Sequence, residues 1–117
     1  DKLTMEKKWD DKEHLVFEIK YKNKKLNGKS TFWYRSGKLK SESIYKSGKL
    51  NGEYTEYRVN ETKVSKGIMK NDKMNEKWTF WYHNGKKELE FNLDFGIPID
   101  STKIYHDNGV LKQEITF

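Results

Sequence analysis

Short segments of alternating apolar and polar residues fill this chain, and each segment ends at a turn signal. In the clearest example, residues 30–35 are rich in Thr and aromatic residues, residues 36–37 are Ser-Gly, and residues 39–45 alternate again. Two β-prone segments around a short glycine-containing loop are typical of a β-hairpin. We find no useful stretch with the 3.6-residue period of an amphipathic helix. The pattern therefore predicts an all-β protein.

The same residue types return with a period of 24 residues, without insertion or deletion. A period of this length is typical of a repeat protein in which each unit is one supersecondary element. The expected units are residues 4–27, 28–51, 52–75, 76–99 and 100–117, all within one repeat domain spanning 1–117. We predict a single-layer antiparallel meander of stacked β-hairpins, with about nine or ten strands.

Two columns of the repeat carry the side chains of interest. The first is aromatic in every unit, and we call it the aromatic stripe: Trp9, Trp33, Tyr57, Trp81 and Tyr105. The second is acidic in four units of five: Glu18, Glu42, Lys66, Glu90 and Glu114. The stripe supplies the candidate binding residues.

A two-residue loop at residues 36–37 would set the register of the hairpin. It would pair Phe32 with Ser41 and Tyr34 with Leu39, and paired residues share a face. One face would then be apolar throughout, with the stripe on the opposite, more charged face. A loop one residue longer would exchange the faces. The expected apolar residues are Leu15, Phe17, Ile19, Tyr21, Phe32, Tyr34, Leu39, Tyr45, Trp78, Phe80, Tyr82, Leu89, Phe91 and Leu93.

Composition agrees with a thin protein, since only 33% of residues are hydrophobic while 36% are charged and 15% are aromatic. The net charge of +6 is carried almost entirely by lysines, which occur in every unit rather than on one element. A solvated surface explains them best, and the scarcity of Arg disfavours nucleic acid. The chain begins at Asp1 rather than Met, which favours removal of a preceding segment and an exported or cell-surface location.

Catalysis and cofactors find no support in the residues. There is no cysteine, and His14, His83 and His106 fall in different columns of the repeat. A metal site needs three or four convergent ligands. The glutamates recur beside lysines, which indicates ion pairs rather than acid–base chemistry. We therefore predict a non-enzymatic protein without a metal or cofactor.

The unit G-x-x-x-x-W-Y-x-x-G-x-L-x-x-E-x-x-Y-x-x-G-x-x-N resembles the variant MORN repeat of bacterial proteins, over about residues 4–117. Many such proteins are labelled antitoxins or immunity proteins of polymorphic toxins. The resemblance implies a sheet of stacked hairpins and no shared active site. Glu61, Lys66, Asp72, Glu76 and residues 96–98 depart from the pattern, so we expect irregular pairing in residues 60–76 and 96–100.

Three functions remain open. The first is a protein-interaction module that contacts a toxin or a host or surface protein through the stripe, with a cytoplasmic location if it is an antitoxin. The stripe could instead be structural, with its rings stacked on neighbouring hairpins. Peripheral binding to anionic lipid is the alternative function, and single-stranded nucleic acid ranks last. A homodimer is also open, because we expect the strands at residues 15–21 and 111–117 to lack partners.

Overall fold

The computed structural model of the protein describes residues 2–117, and Asp1 lies outside the described residues. It is one open antiparallel sheet of 11 strands, which confirms the all-β prediction. No helix occurs within residues 2–117, so none there could cross a membrane. The strands are β1 (Leu3–Trp9), β2 (Leu15–Lys22), β3 (Lys25–Leu26), β4 (Gly28–Trp33), β5 (Leu39–Lys46), β6 (Lys49–Tyr57), β7 (Lys63–Lys70), β8 (Lys73–Trp81), β9 (Lys87–Asp94), β10 (Ile97–Tyr105) and β11 (Leu111–Thr116).

The sheet is a single layer in which strands pair in chain order, and the short β3 pairs with β2 beside β4. Its Cα atoms span 47 × 33 × 12 Å. Among the described residues only Trp78 and Leu93 are buried apolar side chains. The single-layer meander of hairpins is thus confirmed, and contacts along each face take the place of a thick core.

Three-residue turns close each hairpin at one end of the sheet. In the second hairpin the Tyr34 N–H donates to the Lys38 carbonyl at 2.8 Å, and the Gly37 N–H donates to the Tyr34 carbonyl at 2.9 Å. Gly37 has φ 89°. This is a turn followed by a left-handed residue, so the predicted two-residue loop at residues 36–37 is wrong. The left-handed position recurs every 24 residues, at Glu13, Gly37, Glu61, Gly85 and Gly109.

Two-residue turns join successive hairpins at the opposite end. Residues 23–24, 47–48, 71–72 and 95–96 all have positive φ at both positions. This is the mirror-image turn whose twist matches that of the flanking strands. Each turn also bonds back to the preceding unit, as the Gly48 N–H donates to the Leu26 carbonyl at 2.8 Å. The tightest turns therefore lie between the hairpins rather than within them.

Residues that depart from the repeat keep its backbone. Glu61, Asp72 and Glu76 have φ of 72°, 67° and 60°, in columns where other units have glycine. Strands β7 and β8 pair without losing their place in the sheet, and β9 and β10 do the same. The register does shift in these ranges, between Lys66 and Ile68 and between Ile99 and Thr102. The same kind of shift occurs between Ser43 and Tyr45, so it belongs to the repeat and not to the departing residues. The Glu61 N–H donates to the Arg58 carbonyl within its own turn, and the Asp72 N–H donates to the Leu50 carbonyl of the preceding unit. A left-handed conformation costs a non-glycine residue about 1–2 kcal/mol.

A one-residue bulge absorbs the extra turn residue and preserves most of the predicted faces. Phe32 pairs with Ser41 as predicted, but Trp33, not Tyr34, pairs with Leu39. Leu39 therefore lies on the face of the stripe, and Leu15 does so through its pairing with Trp9. A bulge places two residues opposite one, so the faces exchange only near the turn.

The apolar face is held by rings that lie over small residues. The ring pairs are Phe17–Phe32 at 5.6 Å, Tyr54–Trp78 at 5.9 Å, Trp78–Phe80 at 6.3 Å and Phe80–Phe91 at 5.6 Å. Ser30, Ser43 and Ser65 are buried on the same face, since they pair with its residues. The expectation that this face is apolar throughout is wrong. Small residues there make room for the large ones.

Candidate functional site

Each residue of the aromatic stripe is the last residue of its strand, just before a three-residue turn. Its members lie on alternate strands and are therefore about 10 Å apart. The close ring pairs within residues 2–117 lie on the apolar face, and none joins two stripe residues. The rings of the aromatic stripe are therefore not stacked on one another. The cross-strand partners are Leu15 for Trp9, Leu39 for Trp33, Lys63 for Tyr57, Lys87 for Trp81 and Leu111 for Tyr105.

The preceding unit fixes the backbone of three stripe residues. One column of the repeat, at residues 34, 58 and 82, supplies the donors, and the stripe carbonyls accept. Sequence reasoning assigned its two tyrosines to the apolar face and gave Arg58 no role. The 24-residue spacing of this column was the available signal. The hydrogen bonds run from Tyr34 Oη to the Tyr57 carbonyl at 2.7 Å, from Arg58 Nη2 to the Trp81 carbonyl at 2.7 Å and from Tyr82 Oη to the Tyr105 carbonyl at 2.6 Å.

Trp81 is half-buried between two open grooves. One groove of about 370 Å³ lies between Trp81, Tyr57 and residues 61–63. The other, of about 380 Å³, lies between Trp81, Lys66 and Lys87. The Lys63 Nζ lies 5.6 Å from the centre of the Trp81 ring, a cation–π distance. The indole is thus held in place while both sides of it stay accessible.

The carboxylate of Glu90, which lies opposite Thr79 of the neighbouring strand, is contacted by three donors. It accepts a hydrogen bond from Tyr105 Oη at 2.7 Å and forms ion pairs with Lys77 at 2.8 Å and Lys87 at 3.3 Å. Burial alone would raise the pKa of Glu90, but the bonds from Lys77 and Tyr105 and the lysine charges outweigh it and lower the pKa to about 2. A carboxylate so firmly ionised and paired positions Tyr105 rather than exchanging protons near neutral pH.

In the third unit, the two columns that form this ion pair elsewhere carry the opposite charges. Lys29 pairs with Glu42 as Lys77 pairs with Glu90, one residue on each strand of a hairpin. In the unit between them, Glu53 and Lys66 occupy these two columns. Lys66 is therefore a compensated exchange rather than a simple loss of the acidic column.

Trp33 forms the second aromatic centre of the stripe, while Trp9 at the sheet edge is 54% exposed. A groove of about 440 Å³ lies between Trp33, His14 and residues 35–37. His14 Nδ1 contacts the Asp10 carboxylate at 3.1 Å. The hydrogen bond that the backbone N–H of His14 donates to the Asp10 carboxylate lowers the pKa of Asp10. No group of His, Asp or Glu within the described chain is placed to hold a metal ion.

A second surface feature lies at the end of the sheet with the two-residue turns. Three successive turns are flanked by directly paired lysines, which we call the lysine row: Lys22 with Lys25, Lys46 with Lys49 and Lys70 with Lys73. Like charges directly opposite each other are destabilising. At this end the exposed apolar residues Leu3 and Ile97 lie on either side of the row. The repeat thus collects lysines that looked dispersed along the sequence.

Comparison with known proteins identifies the kind of repeat. A profile described as the MORN repeat variant matches residues 26–47 and 101–117, which contain the β4–β5 hairpin, the second half of β10 and all of β11. No curated protein and no solved structure matches the chain. MORN repeats are commonly binding or interaction modules and are typically non-enzymatic. A MORN repeat variant is therefore detected in this chain, within a β-hairpin repeat architecture.

Proposed function

We propose that the protein binds another protein through the aromatic stripe, with Trp81 and Trp33 as the anchors. The observation that carries this proposal is the setting of Trp81, half-buried between two open grooves and fixed by Lys63 and Arg58. A rigid, partly exposed Trp loses little freedom on binding. Such residues supply most of the energy of protein interfaces.

The partner we infer is a toxin, with the chain acting in the manner of an antitoxin or immunity protein. Support comes from the resemblance to variant MORN repeats and from the repeat's open, extended surface. The grooves beside Trp81 are lined by both lysines and glutamates, including Lys63, Lys87 and Glu61. A partner of mixed charge with an apolar protrusion fits them best. A host or surface protein with such a protrusion would be bound in the same way.

The test is capture from the native cell and its secreted fraction, followed by affinity measurement on the captured partner. We expect Trp81→Ala and Trp33→Ala each to weaken binding by about 30-fold, which corresponds to about 2 kcal/mol. The matched control is Phe95→Ala, since Phe95 is a 43% exposed aromatic residue at the opposite end of the sheet. Circular dichroism would check folding. Equal affinity of the Trp variants and wild type would rule out the stripe as the binding site.

A second candidate function is peripheral binding to anionic lipid, which the lysine row favours. Its three lysine pairs lie at one end of the sheet, about 10 Å apart from one turn to the next. Exposed Leu3 and Ile97 on either side could enter the headgroup region of a bilayer. Basic residues near a membrane contribute about 1 kcal/mol each.

Vesicles of phosphatidylcholine, with and without phosphatidylserine, test this candidate. We expect the triple variant Lys46→Gln/Lys49→Gln/Lys70→Gln to lose binding to the mixed vesicles, and added salt to weaken wild-type binding. The control Lys12→Gln/Lys38→Gln/Lys86→Gln changes the net charge equally at the three-residue turns. Failure of wild type to bind the mixed vesicles at low salt would exclude lipid.

A further inference from the structure

The two outermost strands of the sheet have one neighbour each. Within residues 2–117, β1 pairs only with β2, and β11 pairs only with β10. Every residue of both strands is exposed, including Met5 at 53% and Ile115 at 39%. A strand edge presents unpaired N–H and C=O groups that can pair with another strand.

Pairing between successive hairpins follows one register along the whole sheet. Each member of the acidic column lies opposite the residue 13 positions further along the chain: Glu18 opposite Thr31, Glu42 opposite Thr55, Lys66 opposite Thr79 and Glu90 opposite Lys103. One further step would place Glu114 opposite the column to which Lys7 belongs. We propose that β11 of one copy pairs with β1 of a second copy, so that the sheet continues from chain to chain.

Charge favours this head-to-tail pairing. Glu114 opposite Lys7 of the second copy would repeat the opposite charges of Glu90 and Lys103, which pair directly within the chain. The same alignment places Gln113 opposite Lys8. Pairing of β1 with another β1 would instead bring two lysine-bearing edges together, and like charges across strands are destabilising. The edges therefore complement each other better than they complement themselves.

A column of asparagines in the three-residue turns gives a second indication that the sheet continues into another copy. Asn60 Nδ2 donates to the His83 carbonyl at 3.3 Å, and Asn84 Nδ2 donates to the Asp107 carbonyl at 2.8 Å. Asn108 is the next member of this column, and its Oδ1 accepts from the Val110 N–H at 2.9 Å. Within the described residues its Nδ2 makes no hydrogen bond. In the proposed assembly it would donate to the carbonyl of Asp11 in the second copy.

This contact joins two different edges, so it leaves both outer edges of any assembly open. Association is therefore expected to grow with concentration beyond a dimer, independently of the proposed binding at the stripe. Sedimentation velocity of the 117-residue chain over a range of concentrations measures this growth. A monomer at all concentrations, or a dimer that never grows, would overturn the proposal.

Charge reversal tests the register itself. We expect Glu114→Lys and Lys7→Glu each to weaken association by about fivefold or more. The double variant Lys7→Glu/Glu114→Lys should restore it, since the opposite charges are exchanged. The control is Glu88→Lys, an exposed residue of the interior strand β9. If both single variants associate like wild type, or if the double variant is the weakest, the proposed register is wrong.

Discussion

Addition of one methyl group at Gly67 should destabilise the whole sheet. Gly67 is buried in β7, and the indole of Trp78 lies directly over it. A Cβ built on Gly67 would lie 2.1 Å from Trp78 Cδ2 and 2.2 Å from its Cε2, far inside van der Waals contact. Trp78 is 1% exposed, so the ring has no open solvent beside it. In Gly67→Ala the indole must therefore move or the strands must separate.

The magnitude follows from the contacts of that indole. Its Nε1–H donates to the Ile68 carbonyl at 2.9 Å, and loss of this bond would cost about 1–3 kcal/mol. Its ring contacts with Tyr54 and Phe80 contribute about 0.5–1.5 kcal/mol each. We expect Gly67→Ala to lower the free energy of unfolding by about 3 kcal/mol. Since domains are typically stable by about 5–15 kcal/mol, this is a large share.

Urea unfolding followed by tryptophan fluorescence measures the effect, because Trp78 is itself a reporter. The control is Gly37→Ala, whose Cβ would meet nothing within 4 Å, so only its φ of 89° opposes the change. That variant should lose about 1–2 kcal/mol. In the double variant Gly67→Ala/Trp78→Leu the clash is removed, so the two losses should be less than additive. In a strand without such a clash, alanine is normally more stabilising than glycine. A Gly67→Ala protein as stable as wild type would therefore refute the reasoning.

Three further predictions concern the turns, the ion pairs and the ties between units. Glu61→Gly should stabilise the protein by about 0.5–1 kcal/mol in urea unfolding, because its φ of 72° suits glycine; a loss would contradict this. Since the pKa of Glu90 is lowered from 4.5 to about 2, its contribution of roughly 3 kcal/mol is present above pH 4.5 and lost towards pH 2. In acid unfolding, the Glu90→Gln variant should not show this loss of stability between pH 4.5 and pH 2. Tyr82→Phe should cost about 1 kcal/mol by removing the bond to the Tyr105 carbonyl, whereas Tyr21→Phe, whose bond is exposed, should cost nearly nothing.

Much of the fold could be predicted because the repeat is written in side chains of strong preference. Aromatic and β-branched residues marked the strands, and the 24-residue spacing gave their order, although the structure has 11 strands where about nine or ten were predicted. The expectation that residues 15–21 form a strand with a missing neighbour was wrong, since β1 pairs with β2. Every residue of β1 is exposed. A strand with no buried side has no alternation of apolar and polar residues by which it could be predicted.

The register near the turns could not be predicted from Ser-Gly or Asn-Gly alone. Such pairs suit a two-residue turn, yet in Ser36-Gly37 only Gly37 is left-handed, and it follows a turn that begins at Tyr34. The extra loop residue and the bulge at Trp33 nearly cancel, which is why Phe32 kept its predicted face while Leu39 did not. Neither feature has a side-chain signature of its own, because both are properties of the backbone.

The backbone is also what makes the repeat tolerant of sequence change. The left-handed column holds Glu at residues 13 and 61 where other units have Gly, yet the turns keep the same hydrogen bonds. Each unit is tied to the next through carbonyls, as from Arg58 to Trp81, so the receiving side chain is free to vary. Such a scaffold fixes the position of the stripe without fixing its identity. In the proposed function, binding specificity can then change at Trp33 or Trp81 with little cost to the fold, as suits an interaction repeat.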